Sequence, residues 1–221
     1  MTTPALRSAA AGGDLRRRLR ACLTGTAPGT LATARLAGLT PEASGRFRHL
    51  LPANPTPAAV LVPVVDRVDG LTVLLTERAR ELRHHPGQIA FPGGRLEPGD
   101  ASPVAAALRE TREEIGLDAR HVEVLGFLPD HLIVTGYRVT PVVGLVAADL
   151  ALTLDPLEVA GVFEVPLAYL LDPRHHRARP RPIGGETIEV FDIPFGTRNI
   201  WGATAGMLMS LYWLLSASGE H

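Results

Sequence analysis

The chain has 221 residues, of which 46% are apolar, and its formal net charge is −1 at pH 7. This length fits one domain with an appended segment, or two small domains. A net charge near zero gives no general field toward nucleic acid or a membrane surface, so neither is predicted as a partner. The single cysteine, Cys22, excludes an internal disulfide framework and a cysteine-rich zinc site, and it suits a reducing, cytoplasmic location.

The first 57 residues are rich in Ala, Gly, Thr, Arg and Pro. We predict that 1–57 form an N-terminal arm and that 58–221 form the main domain. Asp14 is a suitable N-cap for a short helix over 15–23, where leucines recur at helical spacing. The arginines of this helix favour a solvated face, with an anion-binding or targeting arm as the alternative. Residues 54–57 predict a linker.

Beyond residue 58, runs of β-branched and other apolar residues between turn signals predict strands. The first two strands are expected to form a hairpin through 66–70, because Asp69-Gly70 is a turn signal. Pro141 favours an edge or a bulge in a later strand. The predicted strands are 58–65, 71–77, 88–91, 122–128, 138–147, 159–165 and 187–195, and the predicted helices are 103–115, 167–171 and 201–216. Strands on both sides of a central helix indicate an α/β fold with a mixed sheet.

Two later segments have distinctive compositions. The apolar stretch 200–215 is shorter than the ~20 residues that a membrane span needs, so it predicts a buried or interface helix. Trp201 and Trp213 are expected in the core or in a homodimer interface. The basic run 174–181 predicts a solvated loop, with contact to substrate phosphates or to an acidic partner as the alternative.

Residues 103–115 form the clearest predicted helix. Ser102 offers a side-chain acceptor at the N-cap, Pro103 fixes φ in the first turn, and Gly116 is a suitable end. The stripe that is expected to face the core consists of Val104, Leu108, Arg112 and Ile115.

This helix carries three glutamates; Glu113 and Glu114 lie three and four positions after Glu110 and therefore share a side of the helix with it. Carboxylates so placed repel one another, and a hard divalent cation such as Mg²⁺ between them removes that cost. The alternative is a solvated charged face, as in most such runs. Arg109 lies four residues before Glu113 and is expected to pair with it.

The segment 93–117 resembles the Nudix box, G-x5-E-x7-R-E-U-x-E-E-x-G-U, where U is a bulky aliphatic residue. The positions that match are Gly94, Arg109, Glu110, Glu113, Glu114, Gly116 and Leu117. Asp100 stands in place of the first Glu, with eight residues instead of seven between it and Arg109, which leaves its role open. Thr111 occupies an aliphatic position. The resemblance implies a Nudix-type α/β/α sandwich with a mixed β-sheet.

By this resemblance, Glu110, Glu113 and Glu114 are the catalytic, metal-binding carboxylates. A backbone carbonyl of the Gly93-Gly94 turn, assigned to Gly94, completes the set around Mg²⁺ or Mn²⁺. Arg109 is implied to orient these groups.

The family often recruits one more carboxylate from a distant loop. Glu158 is the best candidate here, as a metal ligand or catalytic base, with Glu164 second. Glu158 has the alternative role of capping the short segment that follows it.

The segment 74–94, LLTERARELRHHPGQIAFPGG, is similar to a narrower motif, LLTxRxxxLRxHxGxxxFPGG, which marks the coenzyme A pyrophosphatase branch of the Nudix family. The stretches 135–146, 158–167 and 200–208 also resemble that branch. The resemblance implies hydrolysis of coenzyme A, or its disulfide or acyl forms, to 3′,5′-ADP and a 4′-phosphopantetheine product.

Arginine suits phosphate because its rigid fork of donors matches phosphate oxygens. Arg83 is the first candidate for a phosphate contact and Arg78 the second, with His85 and Gly93 as further substrate-binding residues. His85 has the alternative role of bracing its loop. Two other functions stay open: a Nudix pyrophosphohydrolase acting on ADP-ribose or a dNTP, and a non-catalytic Nudix-fold binding protein, which the intact glutamates argue against.

Overall fold

The computed structural model describes residues 4–29, 34–36, 38–39, 53–82, 85–183 and 185–217, with the backbone alone for 4–12. The helices are α1 (Pro4–Leu23), α2 (Pro103–Ile115), α3 (Leu167–Leu170) and α4 (Gly202–Ala217). The strands are β1 (Arg35–Leu36), β2 (Thr56–Arg67), β3 (Gly70–Arg78), β4 (Ile89–Ala90), β5 (Gly93–Arg95), β6 (Val122–Phe127), β7 (His131–Ile133), β8 (Tyr137–Val146), β9 (Val159–Pro166), β10 (Arg177–Ile183), β11 (Glu186–Phe195) and β12 (Arg198–Trp201). None of the helices in these ranges is long and apolar enough to span a membrane.

The main sheet is mixed and, within the described ranges, has nine strands. Its order is β1-β7-β8-β2-β3-β4, with β5 beside β2, β6 beside β8 and β9 beside β3. β2 and β3 form the predicted antiparallel hairpin, whereas β2 and β8 run parallel. Successive side chains of β2 point to opposite faces, so that Val62 and Val64 join one apolar cluster while Leu61 and Val65 join another. The sheet is therefore buried on both faces.

Helices cover each face of this sheet. α2 packs on one face through Ala106, Ala107 and Ile115, and α1 packs on the other through the fully buried Leu19 and Leu23. α4 shares the face of α1, and most of its residues are buried. This arrangement confirms the predicted α/β/α sandwich.

Residues at the N-terminal boundary are more ordered than the sequence predicts. The predicted helix over 15–23 is the second half of the longer α1. Thr56 and Pro57, which were assigned to the linker, begin β2. The division at 57/58 stays a proposal.

A second sheet contains β10, β11 and β12, all antiparallel. Most of the basic run that predicted a solvated loop forms β10, so the predicted loop is wrong from Arg177 onward, although residues 177–180 are exposed. The composition hides the strand, because its arginines alternate with Ala and Pro instead of the large β-branched or aromatic residues typical of strands. Pro180 and Pro182 are tolerated since β10 pairs with β11 alone among the described strands, and proline fits edge strands.

Pro141 lies inside the main sheet, so the predicted edge position is wrong. β2 pairs along one side of β8, while β6 and then β7 pair along the other. The Pro141 carbonyl accepts a hydrogen bond from the Leu128 N–H at 3.0 Å, at the point where the partner changes from β6 to β7. The missing N–H of proline therefore falls in a gap of the ladder. A register irregularity lies nearby in β6, between Val124 and Gly126.

Candidate active site

Helix α2 begins and ends as predicted. The Ser102 hydroxyl accepts from the Ala105 N–H at 3.2 Å, Pro103 is in the first turn, and Gly116 ends the helix with φ 72°. The buried face differs from the predicted stripe, because Arg112 is exposed. Small residues allow the helix to approach the sheet closely. The buried residues are Ala106, Ala107, Thr111, Glu114 and Ile115.

The two glycines before the helix let the backbone approach the carboxylates. An ideal Cβ on Gly94 would lie 2.4 Å from Cδ of Glu110, so that any side chain there would collide with the carboxylate. Gly93 has φ +149°, and a Cβ on it would lie 2.4 Å from the carbonyl oxygen of Ala59. The Gly93-Gly94 turn is therefore fixed against both β2 and α2.

The three helix glutamates differ in exposure. Glu114 is 4% exposed, and its Oε2 accepts from the Gly93 N–H at 3.2 Å. Its Oε1 lies 3.9 Å from Nη1 of Arg78, at the end of β3. Glu110 is half-buried against Gly94, whereas Glu113 is exposed. The three glutamates share one side of the helix as expected, but their exposure increases from Glu114 through Glu110 to Glu113.

Arg109 joins four acceptors near the turn. It binds Asp100 with two parallel bonds, Nε to Oδ1 at 3.1 Å and Nη2 to Oδ2 at 3.0 Å. Its Nη1 lies 3.0 Å from Oε1 of Glu110 and 3.1 Å from Oε2 of Glu113, which confirms the predicted pair. Nη2 also donates to the carbonyl of Arg95 at 3.2 Å. Arg109 therefore orients two glutamates, and Asp100 in turn holds Arg109.

The two candidate carboxylates from outside the helix, Glu158 and Glu164, lie in different places. Glu158 is exposed, its carbonyl accepts from the Ala79 N–H at 2.8 Å, and its charge raises the pKa of both Glu110 and Glu114. Glu164 instead binds Arg67 and Thr72, at the other end of β3 from Arg78. The fold therefore brings Glu158 to the cluster and keeps Glu164 away.

The predicted substrate-binding residues have different outcomes. Arg78 lies beside Glu114, and its Nε is buried without a hydrogen-bond partner in the described part of the chain. His85 is exposed in a turn with φ 57°, where its carbonyl accepts from the Gln88 N–H at 3.2 Å. Arg83 and its neighbour His84 lie outside the described residues.

Burial has the largest effect on the pKa values of the cluster, and the neighbouring acids add to it. Burial raises the pKa of Glu114 to about 7; Glu158 and Glu110 add to the rise, while the Gly93 N–H and Arg78 oppose it. Burial also raises the pKa of Glu110, against the hydrogen bond from Arg109. The pKa of Asp100 is lowered, because Arg109 binds its charged form. Negative charge is thus disfavoured at the cluster itself and stabilised beside it.

Over the described ranges, no three His, Cys, Asp or Glu side chains converge closely enough to form a ready-made metal site. The cause is visible in the contacts above, since Glu113 turns to Arg109 and Glu114 turns to the Gly93 N–H. The donor chemistry nevertheless fits a hard divalent cation. Carboxylate and backbone oxygens are its preferred ligands, and a cation would offset both the burial of these charged groups and the smaller repulsion between them.

Comparisons with known proteins identify the family. Residues 55–183 match the NUDIX domain family, and they make up more than half of the chain. A protein of Shigella flexneri serotype 5b described as an uncharacterized Nudix hydrolase NudL is 45% identical over 165 residues, covering 72% of this chain and 83% of that protein. Its counterpart in Escherichia coli (strain K12) is 45% identical over 177 residues, covering 75% and 89%. The crystal structure of RenU, a Nudix hydrolase from M. smegmatis, shares the fold with a TM-score of 0.51 and 20% identity, covering 76% and 89%.

The chain therefore belongs to the Nudix family. It is a Nudix hydrolase and hence an enzyme. Nudix hydrolases generally use divalent metal ions such as Mg²⁺ or Mn²⁺.

Proposed function

We propose that this Nudix hydrolase cleaves the diphosphate of coenzyme A, or of its acyl or disulfide forms, to 3′,5′-ADP and a 4′-phosphopantetheine product. One observation carries the proposal: Arg78, from the segment that resembles the coenzyme A branch, lies 3.9 Å from Glu114 of the Nudix box. The segment 74–94, on which the substrate proposal rests, thus lies next to the Nudix-box carboxylates, on which the proposed reaction rests. A cytoplasmic location belongs to the same proposal, and the single cysteine supports it.

In this proposal Glu110, Glu113 and Glu114, with the Gly94 carbonyl, hold Mg²⁺ or Mn²⁺. The bound ion supplies charge neutralisation at the phosphates and lowers the pKa of an attacking water. Arg109 holds Glu110 and Glu113 in position, and the Gly93 N–H holds Glu114.

Two groups act on the substrate and on the water. Glu158 is exposed beside the cluster and is the proposed base, which takes a proton from the attacking water. Arg78 has a buried Nε without a partner in the described part, so a phosphate oxygen would complete its bonding. Arg83 and His85, which follow Arg78 in the sequence, are the further proposed substrate contacts.

A substrate panel tests this function. The purified enzyme, with Mg²⁺ or Mn²⁺, is offered coenzyme A, an acyl form, the disulfide, dephospho-coenzyme A, ADP-ribose and dNTPs, and products are identified by mass spectrometry. We expect 3′,5′-ADP from the coenzyme A forms at the highest kcat/KM. Efficient turnover of ADP-ribose or a dNTP, with none of coenzyme A, would overturn the substrate assignment and favour another nucleoside diphosphate derivative.

The role of Arg83 can be tested within the panel. We expect Arg83→Ala to weaken the binding of coenzyme A more than that of dephospho-coenzyme A, because the two substrates differ only in the 3′-phosphate. Arg80→Ala is the matched control, since Arg80 is an exposed arginine three positions earlier in the sequence. An equal loss for both substrates would show that Arg83 does not contact the 3′-phosphate.

A further inference from the structure

The last two residues of β3 serve opposite faces of the main sheet. Side chains alternate along a strand, so that Arg78 points toward Glu114 and Glu77 points to the other face. On that face, Oε2 of Glu77 lies 3.7 Å from Nε of Arg198, on β12. The guanidinium carbon of Arg198 lies 4.3 Å from the ring centre of Phe163, on β9.

This trio of Glu77, Phe163 and Arg198 lies at the same end of β3 as the carboxylate cluster, on the opposite face of the sheet. Consecutive Cα atoms are ~3.8 Å apart, so Glu77 is one residue away from Arg78, the arginine nearest Glu114. Arg198 comes from the part of the chain beyond 183, where the match to the NUDIX domain ends. The shared domain thus supplies the cluster, and the C-terminal extension supplies an arginine at the same end of β3.

The chemistry of the trio suits a planar base. Guanidinium planes stack on nucleobases as well as on aromatic rings, and the Arg198 side chain remains 42% exposed. The separation of 3.7 Å from Arg198 is too long for a hydrogen bond, so Glu77 retains acceptor capacity. Its side chain is 29% exposed, and a carboxylate accepts well from an exocyclic amino group.

We infer that the trio is the subsite for the adenine of the substrate, with Arg198 stacked on the base and Glu77 accepting a hydrogen bond from its 6-amino group. This inference rests on the proposed function only in that the substrate contains an adenine nucleotide. Phe163 positions the guanidinium from the opposite side. The subsite adds recognition of the base to a cleavage site that by itself recognises only a diphosphate and a cation.

A base-swap experiment tests the role of Glu77. Hypoxanthine carries an oxygen acceptor where adenine carries the amino donor, so Glu77 should reject it. We expect wild-type enzyme to favour coenzyme A over its hypoxanthine analogue about 10-fold in kcat/KM, and Glu77→Gln to bring the ratio close to one, because an amide can donate or accept. An unchanged ratio in Glu77→Gln would overturn the inference.

The stacking role has its own variant and control. Arg198→Met should raise KM about 10-fold for both bases while kcat changes little, since stacking contributes to binding. Arg20→Met is the matched control, because Arg20 also joins two elements through an exposed ion pair, with Glu123 of β6. If the trio only fastens β12 to the sheet, these variants will have a lower unfolding temperature but an unchanged KM and an unchanged base ratio. That result would also refute the subsite. If coenzyme A is not a substrate, ADP-ribose and its hypoxanthine counterpart provide the same comparison, so the two proposals fail separately.

Discussion

Two buried polar regions of this enzyme are built on opposite principles. In the carboxylate cluster, Glu114 receives one backbone N–H at 3.2 Å and has an arginine at 3.9 Å. In the polar network between β7 and α4, Asp130 is fully buried, and its Oδ1 accepts from the Thr140 hydroxyl at 2.9 Å and from the Gly29 N–H at 3.2 Å.

The rest of the network is also mostly paired. Nε2 of His131 lies 3.1 Å from the hydroxyl of Ser210, which donates to the Gly206 carbonyl at 3.2 Å. Oδ2 of Asp130 has Arg138 at 3.6 Å, although neither it nor Nδ1 of His131 has a hydrogen-bond partner in the described ranges.

The two regions differ in how fully the protein itself satisfies their polar groups. In the network, the protein itself provides most of the donors, and these bonds fasten the segment after α1 to the sheet. In the cluster, acidic acceptors outnumber donors; burial raises the pKa of Glu114, and the neighbouring Glu158 and Glu110 raise it further. A region left electrostatically incomplete by the fold is where a ligand is needed.

The largest expected effect comes from neutralising the cluster. Glu114→Gln should lower kcat by roughly three orders of magnitude, since metal assistance supplies several kcal/mol to the transition state. The fold should survive, because the amide oxygen can still accept from the Gly93 N–H and a buried like charge is removed. Steady-state kinetics and thermal unfolding measure the two effects.

The control for this substitution is Glu123→Gln, which makes the same change at an exposed carboxylate on β6. It should leave kcat unchanged. A Glu114→Gln enzyme with wild-type kcat would show that Glu114 does not belong to the proposed metal site.

Local signals in the sequence account for what could be predicted. Helix α2 has the predicted bounds because its caps, Ser102 and Gly116, are encoded within a few residues of its ends. The strands of the β2–β3 hairpin follow from turn chemistry and apolar runs. These features depend on neighbours in the chain, which a sequence displays directly.

The features that were missed depend on contacts across the chain or on the path of a loop. Asp100 is one residue out of register with the Nudix box, yet it binds Arg109, because the turn between Glu97 and Asp100 changes where the loop places it. The proximity of Glu77 and Arg198 has no local signal, since different sheets bring them together. β10 was missed because arginine and proline conceal its alternation.

Acid pH should test the polar network next. Burial lowers the pKa of His131 to about 3, and the charge of Arg35 adds to this. Since the unfolded chain protonates histidine near its ordinary pKa of about 6.5, folding keeps this site neutral at a cost that grows as the pH falls. Stability from His131 is complete above about pH 6.5 and is lost toward pH 3, by about 1.4 kcal/mol per pH unit.

The variant His131→Gln isolates this contribution, because both proteins carry the same carboxylates. Denaturant unfolding at pH 7 and pH 5 should show a fall in the free energy of unfolding that is about 2 kcal/mol larger for the wild type. Activity at pH 7 should be unaffected, as the network lies outside the cluster. Parallel pH profiles for the two proteins would show that His131 is not held neutral.

The last prediction concerns Arg109, the residue that links the carboxylate cluster to hydrogen bonds from the rest of the protein. Arg109 donates hydrogen bonds to the cluster and is itself held by two bonds to Asp100. Lysine keeps the positive charge but lacks the planar fork of donors that makes these two bonds. Arg109→Lys should therefore lower kcat about 10- to 100-fold and raise the Mg²⁺ concentration needed for half-maximal activity, as for other residues that orient metal ligands. Arg112→Lys, at an exposed position on the same helix, should change neither quantity. If Arg109→Lys kept the wild-type metal dependence, its bonds to Glu110 and Glu113 would be structural, and the cluster would be organised by the glycine turn alone.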